Sequence, residues 1–315
     1  MSYKPPFTIT SKIVNLISEI SEEITKIEYE QNEVITPLLR KKNRIKTIAG
    51  TLEIEGNFLG EEKITAIIDG DRVLGTMLEV AEVEGAINAY KNLEKYRYSS
   101  LNDLFNAHKI MMNGILKDAG MFRNINVGVG NKDEVSHVAP PYKFVPNLMQ
   151  DLFGWLKDSD EHPLIKSCVF HYEFEFIHPF SDGNGRIGRL WQTVILYNWK
   201  KVFSLIPTES LIRDNQEEYY SALELAGKVG ESTPFIEFML EIIKSSVKSS
   251  VKTEDKILEY LSENPNATIK EISQILGVGI RGVEKQISKL KKEGKLVRVG
   301  SARSGYWKVE MEGNQ

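Results

Sequence analysis

Between His178 and Arg189 the chain places an ionisable base, a carboxylate (Asp182), three glycines (Gly183, Gly185, Gly188) and two arginines (Arg186, Arg189) within twelve positions. Such a mixture makes poor core material. Pro179 biases His178 away from helical geometry, so the helix predicted over PLIKSCVFHYEFEFI ends there and presents the imidazole at a loop mouth. Asp182, Gly183, Asn184 and Gly185 then form a turn that only small or left-handed-tolerant residues can follow, and a helix over GRIGRLWQTVILY begins at once. A turn of this kind aims unpaired backbone N–H groups, and the positive end of a helix dipole, at one point. An anion belongs at that point. Arg186 and Arg189, three apart, share a helix face from which their forked donors reach further phosphate oxygens. Asp182 offers a hard oxygen of the kind Mg²⁺ accepts. An imidazole ordinarily titrates near ~6.5, so His178 can take a proton from a hydroxyl lying beside the phosphates. Together these residues indicate phosphoryl-type transfer from a polyphosphate, where positioning and charge neutralisation do most of the work.

The elements that must hold this segment read as helices. Apolar residues recur at three-and-four spacing through SKIVNLISEISEEITKIEYE, NRIKTIAGTLEIEG, LNDLFNAHKIMMNGIL, VPNLMQDLFGWLKD and GRLWQTVILYNWKKV. One segment departs from this: INVGVGNKDEVSHVAPP sets β-branched residues around a polar turn and a closing Pro-Pro, which predicts a short hairpin standing out from the helical body. The polar stretch SSVKSSVKTEDK reads as a linker, with a boundary near Ser249. Beyond it come a helix, TIKEISQILGV, a Gly-containing turn, RGVEKQISKLKKEG and the strand pair LVRVGSARSGYWKV, the order of a winged helix-turn-helix. The predicted fold class is mainly α, a helical bundle with a small β-hairpin and a C-terminal winged helix-turn-helix. Three regions are expected: an N-terminal helical region at 1–100, a catalytic core at 101–248 and the winged helix at 254–310.

Composition bounds the rest. No run approaches the roughly 18 apolar residues of a membrane span, and MSYKPPFTITSK lacks the order of a signal peptide, so a cytoplasmic location without membrane contact is expected. Cys168 is the sole cysteine, which excludes an internal disulfide and a cysteine-based zinc site, and its apolar surroundings make it a core residue. His171 could share a face with His178, but no further ligands are evident and packing is the expected role. His108 and His162 have no constellation around them.

The segment HPFSDGNGRIGR resembles the signature of the Fic family, His-x-Phe-x-Asp/Glu-Gly-Asn-Gly-Arg-x-x-Arg, with every defining position filled. The resemblance implies the Fic fold, with the hairpin as its flap, and transfer of AMP from ATP to a Ser, Thr or Tyr hydroxyl of a protein with release of pyrophosphate. It implies His178 as general base and Asp182 as the Mg²⁺ ligand. Gly183, Asn184 and Gly185 would form the phosphate hole, Arg186 and Arg189 would meet the outer phosphates, and Phe180 would hold the loop to the core. The Doc branch, which phosphorylates, changes the Gly-Asn-Gly portion and lacks the second glycine; here Gly183 and Gly185 are both present. The flap, with His137, Val138 and Ala139 at its edge, is similar to a β-edge that pairs with an extended target segment. Arg213, Asn215, Glu218, Tyr219 and Tyr220 fall where the family often lines its adenine pocket, with packing an equal alternative. Of these, Tyr220 is taken as the nucleotide-binding candidate.

A second match lies upstream. Thr51-Leu52-Glu53-Ile54-Glu55-Gly56-Asn57 resembles the family's inhibitory motif, Ser/Thr-x-x-x-Glu-Gly/Asn. Thr51 and Glu55 lie four apart on one helix face, and Gly56 makes a helix stop. Glu55 would then pair with Arg189 and repel the γ-phosphate. In the tail, ten basic residues face three acidic ones between Lys270 and Lys308. The winged helix is therefore open to DNA, with RGVEKQISKLKK entering a major groove, and equally to protein. Three functions stand side by side: a self-inhibited AMP-transferase, a DNA-binding regulator that senses nucleotide, and an enzyme that removes AMP with a water oriented by Glu55. Family members often self-associate and modify themselves, which leaves room for a homodimer and for the chain itself as target.

Overall fold

Amphipathic spacing in the first third produces helices α1 (Ser11–Val34), α2 (Pro37–Ile54), α3 (Gly60–Asp69) and α4 (Met77–Lys91), followed by α5 (Leu101–Met111). The hairpin comes next, β1 (Gly128–Gly130) and β2 (Val135–Val138), then α6 (Val145–Asp158), α7 (Pro163–Ile177), α8 (Asn184–Trp199), α9 (Thr208–Asp214), α10 (Gln216–Val229) and α11 (Thr233–Val251). The tail holds α12 (Thr253–Glu263), α13 (Ile269–Leu276), α14 (Ile280–Lys292), β3 (Leu296–Val299) and β4 (Tyr306–Val309). This computed structural model describes residues 3–310 apart from 35–36, 131–134, 252, 277 and 302–304. None of the described helices is long and apolar enough to cross a membrane.

By its contacts the chain divides into two compact units, Met1–Ser21 with Ile45–Ser246, and Glu22–Arg44 with Val247–Gln315. The C-terminal part of α2, from Ile45, falls in the first unit with the helices after it. The expected linker is also helical: α11 continues through Ser245–Val251. Its hydroxyls do not break it, since the Ser246 Oγ donates back to the Ile242 carbonyl at 2.9 Å and Val247 is fully buried.

In the first unit α7 and α8 pack against each other at the centre of the core. Phe170, Phe174, Leu190, Trp191 and Val194 on these two helices are fully buried, and each such side chain contributes roughly 1.5–3 kcal/mol by leaving water. Cys168 is buried among them, as expected. His171 is buried as well. Gln192 Oε1 can only accept, so His171 Nδ1–H donates to it at 2.8 Å, and the ring's Nε2 accepts from the Tyr219 hydroxyl at 3.0 Å. Burial pushes the His171 pKa down to about 3, so the ring is a neutral packing element.

The hairpin is antiparallel, with Gly128 opposite Val138, Val129 opposite His137 and Gly130 opposite Val135, and a bulge between Val129 and Gly130. Its expected tip, Asn131-Lys132-Asp133, lies outside the described residues.

The second unit closes its own core on Ile257, Leu261, Ile272, Val283, Ile287, Leu290, Leu296 and Trp307. A capping box starts α13: Thr268 N–H donates to Glu271 Oε2 at 2.7 Å and Glu271 N–H to Thr268 Oγ1 at 3.2 Å. Trp307 ties the wing strand to this body through its indole N–H, which donates to the Ala267 carbonyl at 3.1 Å. Ile280, which shares the core spacing of Val283 and Ile287, is half exposed instead, because it is the first residue of α14 and precedes the turn that faces the core.

Candidate active site

Helix α7 stops at Ile177, and His178 adopts a left-handed conformation (φ 50°, ψ 62°). It is the one non-glycine residue with positive φ among those described, a geometry that costs roughly 1–2 kcal/mol for a residue with a β-carbon. The loop behind it is pinned to the core. Phe180 is fully buried, and the His108 ring stacks on it at 3.7 Å with an interplanar angle of 6°. The Gly120 N–H donates to His108 Nδ1 at 2.7 Å, which leaves Nε2–H to donate to the Asp182 carbonyl at 3.0 Å. Burial holds the His108 pKa below its ordinary value, in keeping with that neutral tautomer. Asn184 clamps the same loop: its Oδ1 accepts from the Phe180 N–H and its Nδ2 donates to the Phe180 carbonyl, both at 2.9 Å.

Gly183, at φ 79°, makes the turn into α8, and the Ile187 N–H bonds back to the Gly183 carbonyl at 3.1 Å. The N–H groups of Asn184, Gly185 and Arg186 therefore open the helix with no intrahelical acceptor, and the helix dipole adds its positive end there. Asp182 stands at the rim with 56 % of its side chain exposed; its Oδ1 accepts from the Gly183 N–H at 2.6 Å and lies 3.4 Å from Arg186 Nη2. An exposed carboxylate beside a helix N-terminus suits Mg²⁺ carried on phosphates. The donor set likewise fits an anion: Arg186 is 3 % exposed, yet its Nε is buried without a partner among the described residues.

The motif upstream reaches the same place. Gly56, at φ 88°, ends α2 with a reversed turn in which the Gly56 N–H bonds to the Glu53 carbonyl at 3.1 Å and the Asn57 N–H to the Leu52 carbonyl at 3.0 Å. That turn sets Glu55 against α8. Arg189 Nη2 donates to Glu55 Oε1 at 2.6 Å and to the Thr51 carbonyl at 3.1 Å, and its Nε donates to Thr51 Oγ1 at 3.0 Å. Burial opposes both charges, but each outweighs it for the other: Glu55 stays below the usual carboxylate range and Arg189 above its own ordinary value. Gly185 permits this approach, since a Cβ there would collide with Glu55 Oε1. The end of α2 is braced from α9 and α10, with Arg213 Nη1 on Glu53 Oε2 at 2.6 Å and Gln216 Nε2 on the Ile54 carbonyl at 3.0 Å.

Not every expected residue faces this pocket in the expected way. The Asn184 side chain is turned into the loop, which leaves its backbone N–H as its contribution to an anion. Ala139 is buried beyond the end of β2, whereas Val138 is 75 % exposed; the His137 side chain lies outside the described residues, although its backbone pairs in β2. Tyr219 is buried against His171 and Phe235, the packing alternative, while Tyr220 beside it is 48 % exposed.

A sequence profile of the Fic/DOC family matches residues 98–196, and one described as winged helix-turn-helix DNA-binding matches residues 252–297. A Fic family protein of known structure from Desulfovibrio desulfuricans G20 is 39 % identical, the likeness covering 99 % of this chain and 100 % of that one at a TM-score of 0.76. The chain belongs to the Fic/DOC family. Its fold is the mainly helical Fic fold with a small two-stranded antiparallel sheet, joined to a C-terminal winged helix-turn-helix. The Fic fold is also seen in Fic-1 from Caenorhabditis elegans, 22 % identical over 78 % of this chain and 72 % of that one, at a TM-score of 0.61. More distant Fic relatives carry activity names. The protein adenylyltransferase fic-1 of Caenorhabditis briggsae is 26 % identical over 84 % of this chain and 52 % of its own length. A probable protein adenylyltransferase of Aquifex aeolicus is 29 % identical over 55 % of each. The chain spans about half the length of the curated relatives it matches.

Residues outside the motifs complete this Fic site. Glu82 on α4 receives Arg186 Nη1 at 3.0 Å, His108 on α5 braces the loop, and Arg123 holds the backbone around His178. Nothing in their spacing marks them, since each comes from a different element. Glu175, one turn before His178, is a further carboxyl, partly buried, whose pKa desolvation pushes up to about 8, with Arg189 opposing and Glu55 reinforcing.

Proposed function

We propose that this Fic-family chain transfers AMP from ATP to a Ser, Thr or Tyr hydroxyl of a protein, and that Glu55 holds the enzyme in check. The observation that carries the reading is the 2.6 Å ion pair between Glu55 and Arg189, at the mouth of the helix that begins with the anion-binding turn. In the active state His178 accepts the hydroxyl proton as that oxygen bonds to the α-phosphorus, and the bond from the α-phosphorus to the bridging oxygen breaks to release pyrophosphate. The backbone N–H groups of Asn184, Gly185 and Arg186 cradle the phosphates, and Arg186 and Arg189 meet the outer ones. Asp182 would hold Mg²⁺, which when bound neutralises phosphate charge. Tyr220, half exposed, is the proposed contact for the adenine base. The target lies along the open edge of β2 at His137 and Val138, as an added strand.

Glu55 blocks this in two ways. It occupies the Arg189 guanidinium that the outer phosphate needs, and it sets a negative charge where that phosphate would lie. At an effective dielectric near 20 and roughly 4 Å, one like-charge contact of this kind is worth at most about 4 kcal/mol. Incubation with α-labelled ATP and Mg²⁺ tests the reading: label on protein rises when Glu55→Gly is introduced and vanishes when His178→Ala is added. If Glu55 instead oriented a water to remove AMP, Glu55→Gly would lose activity against AMP-modified protein and gain no transfer. Absence of label in Glu55→Gly with lysate as target would favour a regulator that only senses nucleotide.

A DNA contact is proposed alongside, on the observation that Arg281, Lys285, Lys289 and Lys292 are exposed and spaced to share one face of α14. Fluorescence anisotropy with a labelled duplex decides it. Binding that weakens steeply with salt and is lost in Lys285→Glu/Lys289→Glu supports DNA, and no binding at low salt leaves the winged helix to a protein partner.

A further inference from the structure

Arg123 lies in the segment between α5 and β1 and is 2 % exposed. A buried guanidinium normally sits against a carboxylate. This one has no carboxylate within ion-pair reach among the described residues, and backbone carbonyls take up its donors instead. Three of those carbonyls are consecutive. The Arg123 backbone N–H donates to the Pro179 carbonyl at 2.9 Å, its Nε to the His178 carbonyl at 2.7 Å and its Nη2 to the Ile177 carbonyl at 3.3 Å. These are the carbonyls of the strained residue and of its two neighbours. The remaining donors go to the stems of the hairpin: Nη1 to the Ile125 carbonyl at 2.7 Å, before β1, and Nη2 to the Pro140 carbonyl at 2.5 Å, after β2.

An αL conformation at a β-carbon-bearing residue persists only where its surroundings over-determine it, and Arg123 supplies three bonds to that loop, two from its side chain and one from its backbone N–H. The same planar group spans the base-bearing loop and both hairpin stems, and its fork geometry leaves little freedom between them.

We propose that Arg123 is a positioning residue for the transfer reaction: it holds His178 at the angle from which its ring meets the incoming hydroxyl, and fixes the target-docking hairpin to that same frame. The inference rests on the transferase reading above, and its test separates the two. Arg123→Met and Arg123→Lys are made in the Glu55→Gly chain. Misplacing a catalytic group by about 1 Å costs on the order of a hundredfold in rate, so kcat for pyrophosphate release with whole-cell protein as acceptor falls about that much in Arg123→Met. Lys, which keeps some of the donors, recovers part of it. ATP affinity measured by calorimetry changes by less than about threefold, because the phosphate cradle is built from residues 183–189.

Hydrogen exchange read by mass spectrometry supplies an outcome that needs no turnover. In Arg123→Met, peptides covering residues 177–180 and 135–141 exchange faster together, while those covering 184–199 do not. A fall in kcat matched by an equal loss of ATP affinity, an unchanged kcat in an active parent, or unchanged exchange in either segment overturns the proposal. A parent without transfer activity sinks the transferase reading alone, and the exchange comparison then still decides whether Arg123 joins the two segments.

Discussion

Asn57 and Arg186 share one carboxylate. Glu82 Oε2 accepts from the Asn57 side-chain amide at 2.9 Å, and Glu82 Oε1 accepts from Arg186 Nη1 at 3.0 Å. Asn57 closes the motif that carries Glu55, and Arg186 lies in the first turn of α8, so Glu82 links the Glu55-bearing segment to α8 by a second route besides the Glu55–Arg189 pair. Both arginines thus pair with carboxylates from segments N-terminal to the Fic motif.

If Glu55 restrains transfer as proposed, removing that link should loosen the segment that carries it. A hydrogen bond to a charged group contributes about 1.5–3 kcal/mol, so Glu82→Ala is expected to raise basal labelling from α-labelled ATP severalfold while remaining below Glu55→Gly. Glu82→Gln, which retains an oxygen for Asn57 or Arg186, should fall between Glu82→Ala and the parent. A drop in labelling accompanied by weaker ATP binding would mean that Glu82 serves to hold Arg186 for nucleotide and plays no part in restraint.

Stability should depend on pH through Glu175. Burial raises its pKa from 4.5 to about 8, so between those values the folded chain keeps a proton that the unfolded chain releases. The resulting stabilisation is complete below the unfolded value and is lost as pH rises through the folded one. Thermal melts followed by circular dichroism from about pH 5 to about pH 9 should show Tm falling less in Glu175→Gln than in the parent. Parallel curves for the two proteins would locate the proton elsewhere.

His108→Phe preserves the ring that stacks on Phe180 but removes both of its hydrogen bonds. The Asp182 carbonyl and the Gly120 N–H lose their partner, at about 1–3 kcal/mol for each buried group left unsatisfied. Urea denaturation should report a loss of about 2–6 kcal/mol by the same reckoning, and transfer by the Glu55→Gly form should decline because Asp182 and the proposed anion turn share that loop. Unchanged stability would show that water replaces the imidazole without cost.

What could be read in the linear chain was whatever depends on neighbours a few residues apart. The turn at Gly183, the helix stop at Gly56 and the end of α7 before Pro179 follow from local backbone sterics, and all three lie where expected. The face shared by Thr51 and Glu55 follows from helix periodicity in the same way. The element order of the winged helix-turn-helix was legible too. The polar stretch from Ser245 is helical up to Val251, and the two compact units divide within it, between Ser246 and Val247.

Tertiary structure alone decided which distant groups meet. Glu82, His108 and Arg123 lie 104, 74 and 55 residues from Arg186, Asp182 and His178, the partners they hold. A lone glutamate, histidine or arginine in a helix or loop carries no sign of what it will face. The chain alone also could not show that the Asn184 amide turns inward, because one side chain can serve a loop or a ligand equally well by type. Short-range sterics are written into residue order, whereas the partner of a buried charge is set by packing that brings separate helices into register.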